Sequence, residues 1–215
     1  MDNKYLQVYF ILGSNNATQD PLEILEQALK GGITCFQFRE KGTNALMGGE
    51  TKKQLAIQMR DLCRFYDVPF LINDDVDLAL EVDADGVHVG QDDMSILEIR
   101  KICPADWIIG VSATNKEEAL QAKAEGADYI GVGPIYSTNT KEDAKQPIGE
   151  KGLLEIREAL SSIPIVAIGG IRLGHVMQLM KSGANGVSVI SAISHALNPE
   201  QTAKVFLSHT NYFFL

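Results

Sequence analysis

Short apolar runs alternate with longer amphipathic stretches along the whole chain. Eight runs stand out: Tyr5–Leu12, Thr34–Glu40, Pro69–Asn73, Gly86–Gly90, Ile108–Ala113, Tyr129–Ile135, Ile165–Gly169 and Gly186–Ser191. Each is rich in Val, Ile, Tyr or Phe. Each is too short for a helix and too continuous for a strand with one wet face, so it reads as a strand covered on both sides. Between the runs, Pro21–Lys30 gathers Leu22, Ile24, Leu25 and Leu29 on one side. Thr51–Tyr66 does the same with Leu55, Met59, Leu62 and Cys63, and Lys116–Glu125, Leu173–Ser182 and Pro199–Ser208 keep the helical period.

Strand and helix signals that alternate in this way predict βα units and a parallel sheet with helices outside it. A weak internal repeat supports that reading. Gly31-Gly32-Ile33, Asp83-Ala84-Asp85-Gly86, Gly126-Ala127-Asp128 and Gly183-Ala184-Asn185-Gly186 each precede a strand run, as helix C-cap turns with tight αβ loops would. Eight strands suit closure into a barrel, and no GxGxxG follows the first run where an open dinucleotide fold would want it. The expectation is an α/β chain forming a single (β/α)8 TIM barrel domain over residues 1–215, smaller than the usual size of about 250 residues.

Composition narrows the partners. Apolar residues make up 45% and charged residues 22%, an ordinary globular balance without a linker-like tract. The net charge of −9 gives no support for nucleic-acid binding, so an anionic ligand must be held by a few local cations, helix N-termini or a metal. Cys35, Cys63 and Cys103 match no zinc spacing and read as small buried or half-buried thiols. No basic-then-apolar leader opens the chain and no run nears 18 apolar residues, so a cytoplasmic protein without a membrane partner is expected. The apolar tail Asn211–Leu215 suits packing on the barrel, joining a partner subunit in a homo-oligomer, or fraying.

Barrel enzymes carry their chemistry at the C-terminal ends of the strands. Polar residues cluster there. Alternation puts Gln37, Arg39 and Lys41 on one face, either as a clamp for phosphate oxygens or as strand-end partners of Glu40 or a nearby Asp. Asp74-Asp75 and Asp92-Asp93 end adjacent strands, close enough to share Mg2+, a cation that takes one or two carboxylates plus waters and phosphates. Asp also favours helix N-caps, so one member of each pair is expected to cap and the other to face the metal. The longest post-strand loop carries Thr138, Thr140 and Lys141, the makings of a lid over phosphates. Gly169-Gly170 and Ser191 follow the seventh and eighth strands, where such barrels often bind phosphate. His88 is expected to be a structural, hydrogen-bonded histidine in preference to a catalytic base.

QFREK at Gln37–Lys41, NDD at Asn73–Asp75, HVGQDD at His88–Asp93, GVSA at Gly110–Ala113, GPIYSTNTK at Gly133–Lys141, IGGI at Ile168–Ile171 and GVSVISAI at Gly186–Ile193 stand in order along the chain. With these motifs the chain resembles the thiamine phosphate synthase family over nearly its whole length. The resemblance implies a transferase of thiamine biosynthesis that takes two phosphorylated small molecules. It would join 4-amino-5-hydroxymethyl-2-methylpyrimidine diphosphate to 4-methyl-5-(2-hydroxyethyl)thiazole phosphate. It implies Gln37, Arg39, Lys41, Asn73, Ser112 and Lys141 around the pyrimidine diphosphate, Asp74 and Asp93 on Mg2+, and Thr138, Thr140, Gly170, Ile190 and Ser191 around the thiazole phosphate. Arg39, Lys41, Ser112 and Lys141 would carry the catalytic load. Ala113-Thr114-Asn115 and Asp92 depart from the common pattern of histidine after the Ser-Ala and of Glu at the latter position. Two rivals remain: a thiazole tautomerase-like isomerase on the same scaffold, and a non-catalytic barrel that binds thiazole phosphate.

Overall fold

The computed structural model describes residues 3–138, 140 and 145–213. Eight parallel strands close into a barrel in sequence order, with β8 pairing back to β1. They are β1 (Val8–Leu12), β2 (Cys35–Phe38), β3 (Phe70–Asn73), β4 (Gly86–Val89), β5 (Ile108–Ala113), β6 (Tyr129–Val132), β7 (Ile165–Ile168) and β8 (Gly186–Val189). The helices are α1 (Pro21–Lys30), α2 (Gly49–Phe65), α3 (Val76–Glu81), α4 (Ile96–Ile102), α5 (Lys116–Glu125), α6 (Gly149–Leu160), α7 (Val176–Lys181), a four-residue α8 (Ser191–Ser194) and α9 (Pro199–Asn211). The expected (β/α)8 barrel is therefore the observed architecture.

Strand alternation sorts the core into two layers. Val8, Phe10 and Leu12, Phe36 and Phe38, Phe70 and Ile72, and Val87 and Val89 point outward and pack under the helices. Tyr9, Ile11, Cys35, Leu71, Tyr129, Val166 and Ile190 fill the barrel interior with Leu6. Leu6 corrects one expectation. The first run does not enter the sheet at Tyr5: Asn3–Leu6 form a 3-10 turn, and Leu6 is fully buried beneath the interior layer as a plug. Likewise the stretch read as one helix from Leu173 begins as a 3-10 turn at Leu173–His175 before α7.

Several helix starts follow from side chains that accept orphan backbone N–H groups. Asp20 caps α1 ahead of Pro21, Asn115 caps α5, and Asn198 caps α9 ahead of Pro199. The sequence repeat has a sharper physical content than helix stops. Thr34, Asp85, Asp128 and Asn185 immediately precede the four even strands. Their side-chain oxygens accept the backbone N–H of Val8 (2.9 Å), Phe70 (2.8 Å), Ile109 (2.8 Å) and Ile165 (2.9 Å) on the odd strands before them. Each returns a backbone bond, since Thr34 N donates to Val8 O, Asp85 N to Phe70 O, Asp128 N to Ile109 O and Asn185 N to Ile165 O. The barrel is thus four βαβα units, each clasped at its N-terminal rim, which frees the opposite rim for loops.

Candidate functional site

That opposite rim holds a cavity of about 770 Å³. Arg39, Lys41, Asn73, Asp74, Asp93, Ser112, Thr138, Thr140, Gly170, Ile190 and Ser191 all line it. Residues from seven strand ends thus converge on one space. Gln37 is the exception among the described candidates. It points inward, as alternation requires, but sits one layer deeper, where its Nε2 donates to Tyr9 Oη at 2.7 Å. Lys141 lies outside the described residues.

The β2 end behaves as a cationic arm. Arg39 is buried, at 4% exposure, and its Nη1 donates to Lys41 O at 3.4 Å. Lys41 Nζ meets Asp74 Oδ2 at 2.7 Å. Glu40, on the other face, accepts Ser14 Oγ and the N–H groups of Ser14 and Leu46, and so fixes the loop.

One carboxylate of the first pair caps a helix, as expected, and neither of the second pair does. Asp75 caps α3 by accepting Leu78 N and also pairs with Lys52 Nζ at 2.7 Å. Asp74, with φ of 60°, occupies the left-handed region that a short polar side chain tolerates, and it lines the cavity. After β4, however, Ser95 caps α4 in a reciprocal capping box with Glu98. The loop runs past both aspartates before the helix starts, so neither Asp92 nor Asp93 is a cap and both line the cavity. Asp93 Oδ2 accepts Gly90 N at 2.7 Å. Burial pushes the Asp93 carboxyl above the ordinary range, and the nearby Asp74 charge adds to this, while the Gly90 N–H and the Lys41 charge oppose it.

Two carboxylates facing one cavity from adjacent strand ends suit a hard divalent cation. Among the described residues there is no cluster of three or more His, Cys, Asp or Glu ligands. A cation such as Mg2+, which takes one or two carboxylates and completes its shell with waters and substrate oxygens, could be held by such a pair.

The far side of the cavity is built from backbone. Gly169 and Gly170 have φ of 99° and 64°, and a Cβ at Gly170 would stand 2.6 Å from Ser137 O. Only glycine fits there, and the turn lays its main chain against the cavity. Ser191 opens α8 straight after β8, with Ile190 beside it. The loop after β6 contributes Thr138 and Thr140, tied by Thr140 N to Thr138 Oγ1 at 3.2 Å.

Lining residues that sequence reasoning passed over include Glu118, Lys145, Arg172 and His195. Lys145 reaches across to Glu118 at 3.2 Å and bridges the β6 loop to α5. No motif singled out these positions, because they lie in loops and first helical turns where charged residues are common. His88, expected to be structural, is held on both ring nitrogens: Nδ1 lies 2.8 Å from Tyr129 Oη and Nε2 2.9 Å from Ser112 Oγ.

A family model described as thiamine monophosphate synthase matches residues 8–193. Thiamine-phosphate synthase 1 of Streptococcus pneumoniae is 54% identical over 200 residues, which cover 93% of this chain and 95% of that protein. Thiamine-phosphate synthase of Bacillus cereus is 56% identical over 194 residues, 90% of this chain and 88% of its own. Among solved structures, thiamine phosphate pyrophosphorylase from Pyrococcus furiosus superposes with a TM-score of 0.86 at 34% identity, covering 99% of both chains.

Proposed function

Because the chain belongs to the thiamine monophosphate synthase family, we propose that it is a transferase that joins the pyrimidine diphosphate to the thiazole phosphate. The C–O bond between the pyrimidine methylene and the diphosphate breaks, and a C–N bond to the thiazole nitrogen forms. Thiamine phosphate and diphosphate are the products. The observation that carries this reading is the convergence of Arg39, Lys41, Asp74, Asp93, Ser112 and Ser191 on one cavity. Cationic and metal-compatible groups line one side of it, and the glycine turn with α8 lines the other.

The reaction needs no protein nucleophile, since the thiazole nitrogen attacks. It needs a polyanion to leave. Bonds that strengthen as charge moves onto the departing oxygens lower the barrier, whereas equal binding of substrate and transition state does not. Arg39 and Lys41 hold the diphosphate and take up that charge, with Lys141 as a third cation by family resemblance. Asn73 and Ser112 orient the same substrate. Asp74 and Asp93 would hold Mg2+, which when bound neutralises diphosphate charge. The pyrimidine amino group stabilises positive charge on the methylene, so a dissociative path is favoured, with the diphosphate kept beside the cation. Thr138, Thr140, Gly170, Ile190 and Ser191 hold the thiazole phosphate in line.

The isomerase and binder readings have less support, because neither calls for paired carboxylates facing a cationic arm. A cytoplasmic site of action is supported by three free thiols and by no described helix being long and apolar enough to cross a membrane. The purified protein is expected to form thiamine phosphate from both substrates with Mg2+. No turnover at any Mg2+ concentration, with thiazole phosphate still bound, would favour the binder.

A further inference from the structure

Beneath the cavity, four polar side chains lie linked in the mainly apolar barrel interior, beside Ser188, whose Oγ has no hydrogen-bond partner among the described residues. Gln37, Tyr9, Tyr129 and His88 are exposed by 1%, 1%, 0% and 6%. They form an unbroken line. Gln37 Nε2 donates to Tyr9 Oη at 2.7 Å, Tyr9 Oη lies 2.8 Å from Tyr129 Oη, and Tyr129 Oη lies 2.8 Å from His88 Nδ1. His88 Nε2 then lies 2.9 Å from Ser112 Oγ on the cavity wall.

The barrel gives up packing to hold this line. Gly110 and Gly131 face inward on β5 and β6. A Cβ on Gly110 would stand 2.1 Å from the Tyr129 ring, and one on Gly131 2.9 Å from His88 Cε1. Both missing side chains are the space that the two rings occupy.

The order of donors follows from one end. The Gln37 amide is oriented with its nitrogen, which can only donate, toward Tyr9, so Tyr9 accepts there, while Gln37 Oε1 has no hydrogen-bond partner among the described residues. The Tyr9 proton then goes to Tyr129 Oη, 2.8 Å away. With the amide in that orientation, a Tyr129 donating to Tyr9 would leave the Tyr9 proton buried with nothing to accept it, which costs about 1–3 kcal/mol. Burial pushes both phenols well above their ordinary range, so each keeps its proton to donate. Tyr129 therefore donates to Nδ1, and His88 carries its proton on Nε2 and donates it to Ser112 Oγ. The Ser112 proton is left to point away from His88, toward the cavity.

We propose that Gln37, Tyr9, Tyr129 and His88 form a one-way hydrogen-bond chain that fixes the His88 tautomer and so presents the Ser112 hydroxyl to the substrate as a donor. Tyr9, Tyr129 and His88 are positioning residues, and they act through Ser112. The inference rests on the proposed reading of Ser112 as a substrate contact.

Two measurements test it separately. In ¹⁵N-histidine-labelled full-length protein, with the four histidines assigned by single substitutions, His88 is expected to be the neutral Nε2–H tautomer. That preference should weaken in Tyr129→Phe. The Nδ1–H tautomer in the unsubstituted protein would overturn the chain whatever the activity. In kinetics, Tyr129→Phe should lower kcat about tenfold, the scale of one hydrogen bond. Tyr9→Phe should cost less, because Tyr129 can still donate to His88. In a Ser112→Ala background, Tyr129→Phe should change kcat by less than about twofold, since nothing is left to orient. An undiminished loss there would mean that Tyr129 acts on packing alone and would overturn the proposal. Full activity of Ser112→Ala would overturn the use assigned to Ser112 even with the expected tautomer, which separates failure of that reading from failure of the chain.

Discussion

Asp74 and Asp93 show how much a single side chain says about its neighbour. Both are acidic residues at strand ends, and the sequence offered each a cap or a ligand role. The structure separates them by backbone. Asp75 takes the cap of α3, while Asp74 sits at φ 60° with its carboxylate on the cavity and 2.7 Å from Lys41 Nζ. Asp93 has a backbone N–H from Gly90 and a carboxylate neighbour, and no helix to cap. Removing its charge should act on the cation first. Asp93→Asn is expected to raise the Mg2+ concentration for half-maximal rate by about tenfold or more, since a two-carboxylate site loses half its protein charge. Saturating Mg2+ should restore part of kcat. A titration of rate against Mg2+ checks this, and an unchanged midpoint would remove Asp93 from the metal site. That Asp74 and Asp93 face one cavity was legible because adjacent strands bring their ends together. The positions of the caps were not, because loop length after β4 decides them and Ser95 wins by its box with Glu98.

Elements repeat in this chain in a way that the apolar pattern exposed only in part. The eight runs located the strands, since a buried parallel strand must be apolar on both faces. The boundaries moved where tertiary packing overrode local pattern, as at Leu6, which leaves the sheet to plug the barrel. The short turns before the even strands were legible as turns. Their second use was not, because an acceptor that reaches sideways to another strand leaves no period in the sequence. Thr34, Asp85, Asp128 and Asn185 share an oxygen and little else, so the requirement is for an acceptor and not for a charge. Asp128 gives the cleanest test, since Oδ2 also takes Arg100 Nη2 at 2.6 Å. Asp128→Ala should lower unfolding free energy by about 1.5–3 kcal/mol, the scale for losing a charged acceptor from a backbone N–H. Asp128→Asn, which copies the Asn185 clasp, should cost less. Urea unfolding with constant slope measures both. Equal losses would place the energy in the Arg100 ion pair. Neither variant should alter turnover per folded molecule, because the clasps lie at the rim opposite the cavity.

At the scale of the molecule, the separation of rims turns a stability problem into a binding site. One end of the barrel is closed by four clasps and Leu6. The other gathers Arg39 and Lys41 from beyond β2, Asp74 and Asp93 from beyond β3 and β4, and Ser191 from beyond β8 around one opening. The chain carries a net charge of −9, so a diphosphate approaches against the average field and depends on charges arranged locally. Lys41 is already engaged by Asp74, and Asp74 and Asp93 repel one another. Each partner alone thus meets an unfavourable half of the site: diphosphate faces two carboxylates, and Mg2+ gains only two protein ligands. Bound together, they would satisfy each other's charge and tie several strand ends into one cluster. A ligand that binds only the folded state stabilises it by about 2.7 kcal/mol at a hundred times its Kd, or roughly 5–10 °C for a chain of this size. Diphosphate with Mg2+ should therefore raise Tm by an amount in that range. Either component alone at the same concentration should give a clearly smaller shift, and chelation should abolish the excess. Calorimetry of the four combinations measures this, and additive shifts would mean that the carboxylates and the cationic arm bind independently and do not form one joint site.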